Sequence, residues 1–290
     1  MSFRTVVINM HCKLDFRMNY MEIRYPEGKK RIYLDEIEVL IVENPAISLT
    51  GCLLSELMKR KVKVIFCDGK HNPQGEVVSY YGGYDSARKL RRQLSWTEEA
   101  KGTVWTAIVT EKIRQQAQFL HELEYEREAG LLDNYVSEIA YLDKHNREGL
   151  AAKLYFAALF GDDFHRDDLL PVNAALDYGY AILLSLVNRE ITALGYLTQL
   201  GIFHDNIFNH FNLSSDLMEP FRVLVDRWIM AQEIKEFSLA EKHKLVELLQ
   251  SEVRIAGTKR VFTDAVGLYV QSVFKALEEA DASLICFYEK

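Results

Sequence analysis

The chain has 290 residues, of which 49% are hydrophobic, so it can bury a substantial core in one large domain or two smaller ones and is not a disordered protein. Its formal net charge of -7 argues against a uniformly basic surface for nucleic acid, although two local basic clusters occur, KRKVK at 59–63 and RKLRR at 88–92. No apolar run is long enough to span a membrane, and the N-terminal segment is not a secretory signal. Four cysteines without a CxxC pair exclude a zinc clip and a disulfide scaffold. These features predict a cytoplasmic protein without a membrane partner.

The first 80 residues are predicted to form a small β domain. Short runs rich in β-branched and aromatic residues read as strands, namely TVVINMHC, MNYMEIRYP, RIYLDEIEVLIVE, VKVIFCD and EVVSYYG. YPEGKKR, at 25–31, has the composition of a hairpin turn, and SLTGCLLSELMKRK, at 48–61, predicts an amphipathic helix between strands. Paired glycines at 80–88 mark the predicted domain junction.

From residue 81 to residue 290 the apolar residues recur at intervals of three and four, which predicts helices to the end of the chain. The expected fold class is therefore α+β, with a small N-terminal β domain at 1–80 followed by a larger all-α domain at 81–290. The sequence shows no internal repeat and no low-complexity tract.

The segment GIFHDNIFNHFNLSSDLMEPFR, at 201–222, concentrates ligand-type side chains between two predicted helices. Gly201 suits a left-handed cap that closes the preceding helix, which places His204 on a loop. Asp216 and Glu219 lie near the start of the next helix with the spacing of a capping box, but Pro220 would remove a backbone hydrogen bond there and favours a cap nearer Glu219. Capping and function both remain open for this carboxylate pair.

A third candidate, Glu148, stands at the head of a predicted helix whose apolar face should pack inward. Taken alone, this carboxylate is more often a cap or a solvated side chain. Together, Glu148, His204 and Glu219 would form a ligand set of two carboxylates and one imidazole, with room for water and phosphate oxygens. Such hard ligands favour Mg²⁺ or Mn²⁺ over zinc.

The chain resembles a known family over nearly its whole length. DLMEPFR preceded by GIFHDN, REGLAAKLYFAALFG about fifty residues upstream, and VNAALDYGYAILLSLVNREITALG between them are similar to the integrase of CRISPR spacer acquisition, a metal-dependent DNA endonuclease. The N-terminal run from RIYLDEIEVLIVE to VVSYYG is similar to the β domain of that family. In the residues of these segments, the chain is most similar to the type II branch of the family.

The resemblance implies the roles of individual residues. The metal ligands and catalytic residues of the family fall on Glu148, His204 and Glu219, and Asp216 matches an acidic position that supports the site. His210 has no assignable counterpart. Lys153 and Tyr155 are candidates for orienting the site or contacting phosphate, with core packing as the alternative for Tyr155.

The resemblance also implies the reaction and the partners. A divalent ion, Mg²⁺ or Mn²⁺, would activate a DNA 3′-hydroxyl that attacks a phosphodiester, so that spacer DNA is inserted next to the CRISPR leader-repeat. The expected assembly is a homodimer, two of which bind a dimer of a small ferredoxin-like partner protein, with other type II CRISPR proteins as further partners. An alternative with the same two-domain layout is a non-catalytic DNA-binding scaffold. A di-iron protein is disfavoured because the chain contains no Glu-x-x-His.

Three further expectations follow. Like-charge repulsion is expected between Glu148 and Glu219 when the metal is absent. Salt-sensitive DNA binding is expected from the two basic clusters. Their members are Lys59, Arg60, Lys61, Lys63, Arg88, Lys89, Arg91 and Arg92. A homodimer is expected to form through residues 1–80, because an isolated β domain of this size leaves strand edges to cover and two-ended integration needs two active sites.

Overall fold

The N-terminal region folds into two small sheets and one helix in the computed structural model, which describes residues 4–78, 85–232 and 234–289. Its elements are β1 (Arg4–Ile8), β2 (Lys13–Arg17), β3 (Tyr20–Tyr25), β4 (Gly28–Tyr33), β5 (Ile37–Val42), β6 (Ser48–Leu49), α1 (Gly51–Lys59), β7 (Lys63–Cys67) and β8 (Pro73–Val77). The strand order is β1-β5-β7-β8 in one sheet and β4-β3-β2-β6 in the other.

The predicted hairpin turn at 25–31 is confirmed, since Tyr25 pairs with Gly28 across a two-residue loop between β3 and β4. The predicted strand RIYLDEIEVLIVE is instead divided into two. A 3-10 turn at Leu34–Glu36 separates β4 from β5, and the two strands belong to different sheets. The chain therefore crosses from one sheet to the other at this turn.

Strand β5 joins the two halves of the molecule because it is buried on both faces. Leu40 and Val42 pack into a core shared by the two N-terminal sheets and α1, whereas Val39 and Ile41 pack into the core of the helical region. Helix α1 forms where the sequence predicts it, with Thr50 as its N-cap.

The remainder of the chain is mainly helical, which confirms the α+β class. Its elements are α2 (Ser86–Leu94), α3 (Glu98–Glu122), α4 (Glu126–Glu138), α5 (Arg147–Phe160), α6 (Pro171–Ala193), α7 (Asn212–Met218), α8 (Arg222–Met230), α9 (Leu239–Val246), β9 (Glu252–Ile255), β10 (Thr258–Val261), α10 (Phe262–Glu279) and β11 (Tyr288–Glu289). The predicted junction at 80–88 falls largely on residues 79–84, which lie outside the described residues.

The expectation of helix to the end of the chain is confirmed for α10 but is wrong for residues 252–261 and 288–289, which form a three-stranded sheet in the order β10-β9-β11. Strands β9 and β10 form a hairpin whose two loop residues, Ala256 and Gly257, have φ of 48° and 72°. Positive φ at both central residues is the requirement of the tight hairpin turn that matches strand twist.

Helix α6 also ends earlier than expected. It stops at Ala193, and the left-handed residue after it is Gly195, with φ of 87°, rather than Gly201. The polypeptide from 195 to 211 is therefore a longer connection than the sequence indicates. Within the described ranges, no helix has the length and apolar character needed to cross a membrane.

Candidate metal centre

Glu219 lies in a 3-10 turn, Glu219–Phe221, that links α7 to α8. Pro220 explains this turn, because its ring has no backbone N–H to donate and crowds the preceding turn of an α-helix. The helix before this turn, α7, begins at Asn212, which is earlier than the expected start near Asp216. Glu219 is 4% exposed and points into the protein between several helices.

Asp216 is not an N-cap, because it lies inside α7 and is fully buried. Its carboxylate instead accepts hydrogen bonds from the backbone of the preceding loop. Ile202 N donates at 2.7 Å and Phe203 N at 3.2 Å to Oδ2, and His204 N donates at 3.1 Å to Oδ1. The capping alternative is thus excluded for Asp216, whose role is to fix the loop that carries His204.

The ring of His204 is oriented by the same carboxylate. Nδ1 of His204 lies 2.5 Å from Asp216 Oδ1, and the ring meets Trp105 edge to face. The hydrogen bond to Asp216 raises the pKa of His204, burial opposes this, and the charges of Asp216, Glu219 and Glu148 raise the pKa further. A histidine whose Nδ1–H is bound to a carboxylate presents Nε2 as the ligand atom.

Gly201 allows the loop to approach Asp216. A Cβ at this position would lie 2.2 Å from His204 O and 2.8 Å from Asp216 Oδ2, so no larger residue fits without moving the loop. The glycine in GIFH is therefore required by this close approach and not by a helix cap.

Glu148 occupies the first turn of α5 and is held there by Asp143. The two carboxylate oxygens of Asp143 each accept one backbone N–H at 2.8 Å, from Arg147 and from Glu148. Asp143 and Asn146 have φ of 47° and 52°, so the chain turns sharply before α5. This turn directs the Glu148 side chain, which is 30% exposed, toward α3.

Glu148 and Glu219 meet at one positive charge, the ammonium of Lys112 on α3. Lys112 Nζ lies 2.6 Å from Glu219 Oε2 and also contacts Glu148 Oε1. Burial lowers the pKa of Lys112, but the two carboxylates raise it by more, so the pKa stays above its ordinary value. The repulsion expected between the two carboxylates in the absence of metal is thus offset here by Lys112, which contacts both.

Arg222 holds the other oxygen of Glu219. Its Nε and its terminal nitrogen are each 3.0 Å from Glu219 Oε1, and its guanidinium lies 4.6 Å from the ring centre of Tyr180. Burial acts to raise the pKa of Glu219, but Arg222 and Lys112 together lower it to about 2. Glu219 is therefore ionised throughout the physiological pH range.

The carboxylates of Glu148 and Glu219 are hard oxygen donors of the kind that a divalent cation prefers. Glu148 and Glu219 hold a positive group between them, and Glu219 Oε2 contacts Lys112 without making a hydrogen bond of good geometry. In the part of the chain that the structure describes, no three His, Cys, Asp or Glu side chains lie close enough together to hold a metal as they stand. The ammonium of Lys112 stands between the two carboxylates.

Tyr155 does not reach DNA, in contrast to its place among the DNA-binding candidates. It is fully buried, and its hydroxyl donates to Asp226 Oδ2 at 3.0 Å. Tyr180 donates to the other oxygen of Asp226 at 2.6 Å. Burial raises the pKa of Asp226 to about 6, against the opposing effect of the two tyrosine hydrogen bonds. Core packing is thus the role of Tyr155.

Asp226→Asn is expected to stabilise the protein at pH 7. The folded pKa of about 6 exceeds the ordinary 3.8, so the unfolded state loses its proton first and stability falls as pH rises from about 4 to 6. The amide removes this penalty, which we expect to raise the free energy of unfolding by about 1–3 kcal/mol at pH 7 and hardly at pH 4. Urea denaturation of the variant and the wild type in EDTA, at pH 7 and at pH 4, measures this difference. A variant destabilised equally at the two pH values would contradict the prediction.

The other DNA-binding candidates are largely engaged with carboxylates. Lys59 pairs with Glu56 and Arg60 with Asp35 and Glu56 in the N-terminal region, while Lys63 is buried against Glu76. These pairs leave less free positive charge at 59–63 than the sequence indicates.

The second basic cluster lies on α2. Arg88 pairs with Asp85, Arg92 pairs with Glu278, and Arg91 is exposed. Lys153 is exposed on α5, the helix that carries Glu148. Any DNA backbone contact from these residues would come from the helical region.

Sequence reasoning missed Lys112 and Arg222. The signal for Lys112 was present, because it continues the stripe of Trp105, Ile108 and Val109 on α3, and a charged residue on a buried stripe needs a partner. Arg222 follows Glu219 by three residues, a spacing that brings helical side chains together. His210, by contrast, is exposed, and its backbone oxygen accepts a hydrogen bond from Thr198 Oγ1 at 2.8 Å.

Comparison with known proteins identifies the family. The profile of CRISPR associated protein Cas1 matches residues 5–248. The chain belongs to the Cas1 family. It is 37% identical over 226 residues to the CRISPR-associated endonuclease Cas1 of Neisseria meningitidis serogroup C, covering 78% of this chain and 74% of the relative. Cas1 1 of Francisella tularensis subsp. novicida is 24% identical, covering 87% of this chain and 86% of the relative. The resemblance seen in the sequence is confirmed at the level of the family.

Solved structures share the Cas1 fold. A CAS1 protein from Thermotoga maritima superposes with a TM-score of 0.71 at 17% identity, covering 94% of this chain and 96% of that one. A casposase bound to integration product gives 0.69 at 18% identity, with 96% and 91% covered. A Cas6-RT-Cas1–Cas2 complex gives 0.76 at 19% identity, covering 97% of this chain but 36% of the longer one. At these identities the likeness shows the fold alone.

Proposed function

We propose that this Cas1 chain is a divalent-metal-dependent DNA endonuclease and integrase, which inserts spacer DNA into a CRISPR array by attack of a DNA 3′-hydroxyl on a phosphodiester. The observation that carries the proposal is the convergence of Glu148 and Glu219, from separate helical segments, on one cationic group. The charges of both carboxylates also act on His204, whose ring is oriented by Asp216. The names of the relatives and the fold shared with a casposase on integration product support the same activity.

The ligands of the ion would be Glu148, Glu219 and Nε2 of His204, with Mg²⁺ or Mn²⁺ as the cation. When bound, such an ion polarises a phosphodiester oxygen and lowers the pKa of an attacking hydroxyl. The carboxylate of Asp216 beside Nδ1 favours the tautomer of His204 whose Nε2 would bind the metal. Arg222 holds Glu219 through Oε1, so that Oε2 remains directed at the site.

DNA and a second CRISPR protein are the proposed partners. Related structures are described as Cas1–Cas2 and Cas1–DNA complexes, which supports a spacer duplex, a leader-repeat target and a small ferredoxin-like partner for this chain. Two DNA ends attacking two phosphates need two sites, and one chain supplies one set of ligands. We therefore retain a homodimer formed through residues 1–80, whose edge strands include β4 and β6.

A strand-transfer assay tests the function. Purified protein, the partner protein, a short duplex and a leader-repeat target are expected to give joined product with Mn²⁺ and none with EDTA. His204→Ala should lower the rate about a hundredfold or more while leaving DNA binding intact, because one ligand is lost. His210→Ala, in the same loop and exposed, is the matched control and should retain the rate.

The assay also separates the enzyme from a non-catalytic scaffold. A scaffold would bind DNA equally well with and without metal and would form no product under any condition. Product formation that survives EDTA, or that is unchanged by His204→Ala, would contradict the proposed centre.

A further inference from the structure

Lys112 occupies the position where a cation is held between the proposed metal ligands. It is 7% exposed, its Nζ is 2.6 Å from Glu219 Oε2, and it also contacts Glu148 Oε1. We propose that Lys112 is a built-in counter-cation of the metal centre, which neutralises Glu148 and Glu219 when no metal is bound and competes with the divalent ion for them. This inference rests on the function proposed above.

Two carboxylates from different segments need such a charge. Removed from water without a cation, they would repel each other and be costly to bury, and the turn that carries Glu219 would be driven away from α5. Lys112 comes from α3, the long helix that packs against both segments. It therefore holds the ligands together before metal arrives.

The choice of lysine over arginine matters for this role. The ammonium of lysine is a single compact charge on a flexible stem, so it can leave two carboxylates without breaking a planar arrangement. Arg222 is the contrasting case, because its guanidinium makes two contacts with Glu219 Oε1 and also lies over Tyr180. Arg222 is thus a fixed support for Glu219, whereas Lys112 is the exchangeable charge.

A permanent structural ion pair is the competing explanation. If Lys112 remained in contact with both carboxylates after metal binding, its removal would weaken the site and lower metal affinity. If Lys112 competes with the metal, its removal frees the ligands and raises affinity. The direction of the change in affinity therefore decides between the two explanations.

Mn²⁺ binding to the full chain without DNA is the direct test, measured by the electron paramagnetic resonance signal of free Mn²⁺. Lys112→Met keeps the length and apolar stem of the side chain and removes its charge. We expect the Kd for Mn²⁺ to fall about tenfold, which corresponds to about 1.4 kcal/mol. Lys101→Met, on the same helix but paired with Glu98 away from the centre, should leave the Kd unchanged.

Thermal unfolding gives a second readout that does not depend on activity. Without metal, Lys112→Met should melt below the wild type, because the carboxylates have lost their counter-cation. Saturating Mn²⁺ should then raise the melting temperature of the variant by more than that of the wild type, since a tighter ligand stabilises more at equal concentration. Lys112→Gln is the second neutral variant. Neutral variants that fold only with Mn²⁺ would also support the inference.

Glu219→Gln separates the two levels of the argument. If this variant loses Mn²⁺ binding and Lys112→Met binds as the wild type does, or more weakly, the metal centre stands and the competition by Lys112 is refuted. If Glu219→Gln binds Mn²⁺ like the wild type, the proposed centre itself is wrong. Neutral variants of Lys112 that stay unfolded even in Mn²⁺ would assign the residue a structural role only.

Discussion

Glu219→Gln is expected to reduce strand transfer by about a thousandfold or more. The amide keeps the shape of the side chain but removes its negative charge. In the wild type this charge is stabilised by Arg222 and Lys112, which lower the pKa of Glu219 to about 2. A neutral oxygen is a poor ligand for a hard cation, and a thousandfold loss corresponds to about 4 kcal/mol of transition-state stabilisation. Single-turnover strand transfer at saturating DNA, with Mn²⁺ varied, measures the effect.

The same substitution leaves the buried Lys112 and the partly buried Arg222 short of an anion, so the fold of the variant must be checked separately. Glu148→Gln is a second variant with a smaller expected effect on the fold, because Glu148 is 30% exposed and contacts Lys112 but not Arg222. Glu99→Gln, an exposed carboxylate in the first turn of α3, is the control and should transfer strands normally. DNA binding should survive in all three variants. Strand transfer by Glu219→Gln within tenfold of the wild type would remove Glu219 from the metal centre.

The helical and strand content could be predicted where the pattern was strong. Helix α1 and the hairpin at 25–31 follow from apolar spacing and turn residues, and both are present. The sheet at 252–289 was missed because its strands have two to four residues, too short to show an alternation of their own. Gly257 in the turn is a local signal for a hairpin, but the residue before it is Ala256, also at positive φ. Alanine is not one of the residues that sequence patterns associate with such a turn.

The candidate site could be predicted in part. The residue types at 148, 204 and 219 predict a hard-metal centre, and the structure brings two of them, Glu148 and Glu219, together on Lys112. The role of Asp216 could not be read from its spacing, because Asp216 and Glu219 fit a capping box whether or not the helix starts there. Only the fold shows that the helix begins at Asn212 and that the Asp216 carboxylate faces the loop instead.

The same limit applies to Gly201 and Lys112. A glycine after a helical pattern normally indicates a left-handed cap, yet here the cap is Gly195 and Gly201 serves a close contact across the chain. Lys112 has its partners 36 and 107 residues later in the sequence, so no local window contains them. Interactions of this kind depend on tertiary structure, and a sequence can show only that a buried charge needs a partner.

Asp216→Ala is expected to be among the most destabilising substitutions at the site. It removes the acceptor of three backbone N–H groups, from Ile202, Phe203 and His204, in a fully buried position. A buried donor left without a partner, as Ile202 N would be, costs about 1–3 kcal/mol, and the two partly buried donors add to this, so we expect the free energy of unfolding to fall by about 3–5 kcal/mol. Chemical denaturation measures it, and Asp205→Ala, exposed in the same loop, should change stability by less than about 0.5 kcal/mol.

Asp216→Asn provides a readout that does not depend on how much stability is lost. The hydrogen bond to Asp216 is the main cause of the raised pKa of His204, and burial acts in the opposite direction. Without the negative charge of the carboxylate, the pKa of His204 should therefore fall, and metal affinity should fall too because a neutral amide oxygen holds the imidazole less firmly. Titration of His204 by nuclear magnetic resonance follows the first change. An unchanged pKa of His204 in the folded variant would show that Asp216 does not orient the ring.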